Sequence, residues 1–66
     1  MRPLQEAVEK LQTIMEVFGK YSVHVSPTLK NGELQYCLMY ADELTYAGTE
    51  KEVIAFIDGA VYAELA

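Results

Sequence analysis

From Pro3 to Phe18 the apolar side chains fall at Leu4, Val8, Leu11, Met15 and Phe18, with intervals of four, three, four and three. Those intervals stack side chains on one face of a helix. Ala7, Ile14 and Val17 widen the stripe, Pro3 suits a first helical turn, Glu6 stands one turn before Lys10, and Gly19 can end the helix in a left-handed conformation. From Lys20 to Leu29 the period changes to two. Tyr21, Val23 and Val25 alternate with Ser22, His24 and Ser26, which predicts a half-buried strand.

Asn31-Gly32 follows, a dipeptide suited to the positive φ angles of a two-residue hairpin turn. A turn there pairs Leu29 with Leu34, Pro27 with Tyr36, Val25 with Leu38 and Val23 with Tyr40, all apolar on both sides. The opposite face then pairs Thr28 with Gln35, Ser26 with Cys37, His24 with Met39 and Ser22 with Ala41. Pattern, turn chemistry and register agree. Because Lys30 and Glu33 form the hydrogen-bonded pair beside the turn, Pro27 falls at a non-hydrogen-bonded position and its nitrogen points away from the second strand. The first strand is therefore expected at a sheet edge.

The stretch from Ala41 to Gly48 predicts a turn around Asp42-Glu43 and a short third strand. Asp-Glu is a poor two-residue turn, so a loop one residue longer is expected, with Tyr46 opposite Tyr40 on the core face. Thr49-Glu50-Lys51-Glu52 has the form of a capping box and starts a helix at Glu50. Val53, Ile54, Phe56, Ile57, Ala60, Val61 and Leu65 give that helix an apolar surface wider than one sheet contact uses. Gly59 weakens its middle and makes Asp58 a candidate end or bend. The fold class is α+β in the order α-β-β-β-α, a three-stranded antiparallel meander with both helices packed on one face. Residues 1–66 form one small domain. Val23, Val25, Tyr36, Leu38 and Tyr40 are expected to pack against Leu4, Leu11, Phe18, Ile54, Ile57 and Val61.

Composition changes the picture in two ways. A chain of 66 residues buries only about 60% of the surface that it exposes when unfolded. Disulfides, metals or partners usually supply the missing stability of such domains. Cys37 is the only cysteine and His24 the only histidine. An internal disulfide is thus excluded, a Cys/His zinc site lacks ligands, and association with a second copy becomes the expected route. Secondly, five Lys and Arg against ten Asp and Glu give a net charge of -5, the wrong sign for gripping phosphates. The acids are concentrated after Gly32, where seven stand against the single Lys51. They are spread over strand, loop and helix, which fits a solvated face and acidic first helical turns better than a dense mimic of nucleic acid.

Candidate chemistry is sparse. His24 and Cys37 lie diagonally on the second sheet face near Met39, a set that could hold a soft metal or activate a thiolate. No orienting carboxylate or oxyanion hole accompanies them, so no catalytic, cofactor or metal residue is assigned. More informative is that Ser22, His24, Ser26, Cys37 and Met39 leave this face without a charge where a water-facing strand usually carries Lys and Glu. It is the first candidate interface, and the outer stripe of the second helix at Phe56, Ala60 and Ala63 is the other. Five tyrosines suit interface packing. Stacking platforms for single strands place such rings in basic grooves, and the strand region here has only Lys20 and Lys30.

The element order resembles that of the double-stranded RNA-binding domain, whose second helix opens with phosphate-binding lysines. The matching residues here, Thr49-Glu50-Lys51-Glu52, are net acidic, so the resemblance implies the order of elements and not the activity. Gly48-Thr49 followed by Glu52-Val53-Ile54-Ala55-Phe56-Ile57 is similar in style to short accessory proteins of bacterial viruses and mobile elements. The expectation is a non-enzymatic protein-interaction module, acting as a homodimer or as a small regulator or inhibitor of a larger protein, without direct nucleic-acid or membrane contact. An acidic nucleic-acid mimic or regulator of a nucleic-acid enzyme is the first alternative, and a small thiol or metal-binding protein the second. With no apolar leader-like run after Met1 and Arg2, no membrane-length apolar run and a lone cysteine, the expected compartment is the cytoplasm.

Overall fold

The computed structural model describes residues 3–66; Met1 and Arg2, where the N-terminal reading begins, lie outside them. The chain forms α1 (Pro3–Val17), β1 (Val23–Lys30), β2 (Glu33–Tyr40), β3 (Glu43–Gly48) and α2 (Glu50–Leu65). Gly19 ends α1 at φ 67°, with its N–H donating to the Glu16 carbonyl and the Lys20 N–H to the Met15 carbonyl at 2.8 Å. This pair of bonds satisfies carbonyls that the helix end would otherwise leave open. At the start of α2 the Thr49 hydroxyl accepts from the Glu52 N–H at 3.3 Å, while the Glu52 carboxylate accepts from the Thr49 N–H at 2.9 Å. The capping box is complete.

The sheet is antiparallel in the order β1-β2-β3. Eight of the nine expected pairs of the first hairpin are in the register, from Val23 opposite Tyr40 to Lys30 opposite Glu33, and the ninth, Ser22 with Ala41, is joined by one backbone bond beyond it. Asn31 (φ 53°) and Gly32 (φ 78°) make the turn. Pro27 lies opposite Tyr36 on the edge strand, so its missing donor costs no ladder bond. Further along that edge the Val23 N–H donates to Gln12 Oε1 of α1.

The second connection differs from expectation. Ala41 and Asp42 form a tight turn with Ala41 at φ 54°, and Glu43 already pairs with Tyr40. The extra residue enters β3 itself as a bulge, since Met39 pairs with Leu44 but Leu38 with Tyr46. Tyr46 still reaches the core face, opposite Leu38 rather than Tyr40. A bulge turns the side chains beyond it by one position, which serves the same purpose as a longer loop.

Both helices cover one sheet face and run in the same direction. Leu4 and Glu50 flank one groove near their starts, and Lys20, just beyond α1, bonds Glu64 near the end of α2 through both carboxylate oxygens at 2.8 and 2.9 Å. The core between the layers is Leu4, Ala7, Leu11 and Met15 of α1, Val53, Ile57 and Val61 of α2, and Val23 and Leu38 of the sheet. Among the described residues no polar side chain is buried in it.

Two expectations about packing need correction. Phe18 is 50% exposed because it follows the last full turn of α1, where the chain swings into Gly19 and carries the ring off the stripe. Gly59 neither ends nor interrupts α2: it faces open space, and buried Ile57 and Val61 on either side hold the helix on the core. Val25, Tyr36, Tyr40 and Ile54 are partly buried against the core. No helix of the described residues is long and apolar enough to cross a membrane.

Candidate functional site

With both helices on one side, the second sheet face is uncovered. The register places Ser26 beside Cys37 and His24 beside Met39, and the Ala41 N–H extends the ladder to the Ser22 carbonyl at 2.8 Å. His24, Ser26 and Ser22 are exposed at the β1 side, while Cys37 and Met39 on the central strand are half-buried by their neighbours. On the far side β3 contributes Leu44, opposite Met39 and 60% exposed, and Ala47, opposite Cys37. Ala47 was missing from the sequence reading because its face depends on the bulge, whereas Leu44 is set opposite Met39 by the tight turn at Ala41 and Asp42. The result is a flat strip of Ser, His, Cys, Met, Leu and Ala running across three strands, with Thr28 and Gln35 continuing it toward the hairpin tip.

The His24 and Cys37 side chains occupy different cross-strand pairs. Among the described residues no group of three His, Cys, Asp or Glu comes together to hold a metal ion. Cys37 is a free thiol.

The outer stripe of α2 divides. Phe56 stacks on Tyr46 of β3 with ring centres 4.6 Å apart and planes at 16°, and Ala60 is partly buried against the core. Phe56 therefore closes the α2–β3 side of the core. Ala63 is exposed, together with Tyr62 and Leu65.

Two concave regions lie at opposite ends of the helices. Near their C-terminal ends, Tyr21 stacks on Tyr40 at 5.2 Å above a shallow cleft bounded by Asp42, Glu43 and Thr45. Burial, then the neighbouring Tyr21 and Glu64, hold the Tyr40 hydroxyl above its ordinary pKa. The hydrogen bond to Glu64 raises that of Lys20. Near the N-terminal ends, a groove of about 420 Å³ lies between α1 and the hairpin, lined by Leu4, Gln5, Val8, Glu9, His24, Val25, Tyr36 and Glu50.

The groove opens where the helices stop covering the hairpin. Along the core face of β1, Val23 is buried, Val25 half-buried, Pro27 exposed and Leu29 73% exposed. On β2 the same progression runs from buried Leu38 through Tyr36 to Leu34, 53% exposed. No protein-family model matches the chain, and neither a curated protein nor a solved structure matches it.

Proposed function

We propose that this chain is a non-enzymatic protein-interaction module of the cytoplasm, working as a homodimer or as a small regulator of a larger protein through its second sheet face. The observation that carries the reading is the uncharged strip from His24 and Ser26 through Cys37 and Met39 to Leu44 and Ala47. Water-facing strands of a monomer ordinarily carry charge there, which keeps sheets from packing on one another. A strip without charge can be covered by another flat surface with little desolvation cost, and exposed Leu44 rewards that cover. The small size of the domain favours a partner on general grounds.

Light scattering at micromolar concentration tests the homodimer form. The wild-type mass is expected at twice that of the chain. Met39→Lys combined with Ser26→Glu should return it to one chain with unchanged helical circular dichroism, because charges would be buried without partners. Phe56→Glu serves as the comparison, directed at α2. A wild-type chain that stays monomeric at every concentration removes the homodimer. Dissociation by Phe56→Glu alone, in a folded protein, moves the contact to the helix.

A further inference from the structure

We propose that the groove at the N-terminal ends of the two helices receives an amphipathic helix from a partner protein, apolar on one side and flanked by lysine or arginine. This surface meets the second sheet face only at His24 on the β1 edge, so it adds to the interaction module and is tested separately from it.

The floor is apolar, made by Leu4 and Val8 of α1 and by Val25 and Tyr36 of the hairpin. Beyond it the same sheet face continues as Leu29 and Leu34, whose exposure has no local remedy because α1 and α2 end their cover before the tip. Two helices thus cover only the root of a sheet face that is apolar to its end. A helix about 10 Å across, laid beside the start of α1, would fill the groove and shield the exposed leucines with anchors spaced three or four residues apart.

Charge selects among possible occupants. Glu9 on α1 and Glu50 on α2 stand on the rim, and no cationic side chain among the described residues lines the groove. The whole chain is also negative. An acidic helix would meet repulsion on the rim, and a second copy of this chain would bring its own excess of acids, whereas lysines or arginines flanking an apolar stripe would pair with Glu9 and Glu50.

The test uses the full chain and a fluorescein-labelled sixteen-residue amphipathic peptide of leucine and lysine, with its leucine–glutamate counterpart as control. Anisotropy should show saturable binding of the lysine peptide only, and amide shift changes should centre on Val8, Val25 and Tyr36. Glu9→Gln with Glu50→Gln should weaken binding by about fivefold to tenfold. Asp42→Asn with Asp58→Asn, which removes the same charge elsewhere, should change it less than about twofold. Equal losses in the two double variants would mean non-specific attraction to an acidic protein and would overturn the proposal. So would shifts centred on Met39 and Leu44, absence of binding, or a dimer that Val8→Glu dissociates while helical content is kept, which would make a second copy the occupant. Met39→Lys with Ser26→Glu should leave peptide affinity intact, so failure at the groove and failure at the sheet face read out independently.

Discussion

Gly48 ends β3 where α2 must begin, and the absence of a side chain is what lets the capping box close. A Cβ there would stand 2.9 Å from Glu52 Oε1, 3.2 Å from Glu52 Cβ and 3.3 Å from the Tyr46 ring. The space is taken by the carboxylate that accepts from the Thr49 N–H. That bond, followed by the contact with the Thr49 hydroxyl, holds the Glu52 pKa below its ordinary 4.5. A pKa lowered by folding stabilises the protein while the group is ionised. The contribution is present above the ordinary pKa and disappears as pH falls through the lower folded value. Glu52→Gln should accordingly lower stability at neutral pH, and the gap between variant and wild type should narrow as pH falls below about 4.5. Urea unfolding across a pH series reads this directly, and a gap independent of pH would show that the carboxylate acts by shape and not by charge.

At the level of elements, the two turns of the meander contrast. Asn31-Gly32 holds its positive φ angles with the residues best suited to them, whereas Ala41 holds φ 54° with a Cβ. For an ordinary L-residue that conformation costs roughly 1–2 kcal/mol. Ala41→Gly is expected to stabilise the protein by about 0.5–1 kcal/mol after the extra freedom of glycine in the unfolded chain is counted. A higher urea midpoint at an unchanged slope is the expected result, and a lower midpoint would mean that the methyl group contributes packing. The edges also differ. On β1, Pro27 removes one outward donor and Gln12 of α1 occupies the outward N–H of Val23. On β3, the bulge interrupts a strand of only six residues. Neither edge offers a long regular ladder, so strand addition is opposed on both sides and the broad faces are left for contacts.

For the molecule as a whole, stability rests on the apolar core, to which, among the described residues, both helices, β1 and β2 contribute nine buried side chains. Leu38 has no exposure and comes from the central strand, which α2 covers. Leu38→Ala should cost about 2–5 kcal/mol, a large part of the stability of any small domain. The expected outcome is loss of a cooperative thermal transition, or one displaced by well over ten degrees. A small displacement would show that the layers collapse into the cavity. The ion pair of Lys20 with Glu64 sits at the surface, joins the ends of the parallel helices, and is open to screening by salt.

What the amino-acid order decides alone is local or pairwise. Period in α1 and β1, the Asn31-Gly32 turn, the Thr49 to Glu52 box and the Gly19 stop each depend on neighbours within a few residues. The hairpin register follows because one slip would turn every apolar pair to water. From these come the five elements in order, the edge position of β1 and the uncharged pairs around His24, Cys37 and Met39. What required the assembled molecule is longer in range. The bulge beside Met39 depends on Tyr46 reaching Phe56 and the core, a contact that no turn preference encodes, and it brings Ala47 to the second face beside Leu44, which the tight turn places there. Gly59 stays helical because packing at Ile57 and Val61 outweighs its poor propensity. Phe18 leaves the core because helix termination redirects the chain. The groove between Leu4, Val8, Val25 and Tyr36 exists because the helices cover less of the sheet than the hairpin offers, a mismatch of lengths that becomes visible only when the layers are stacked.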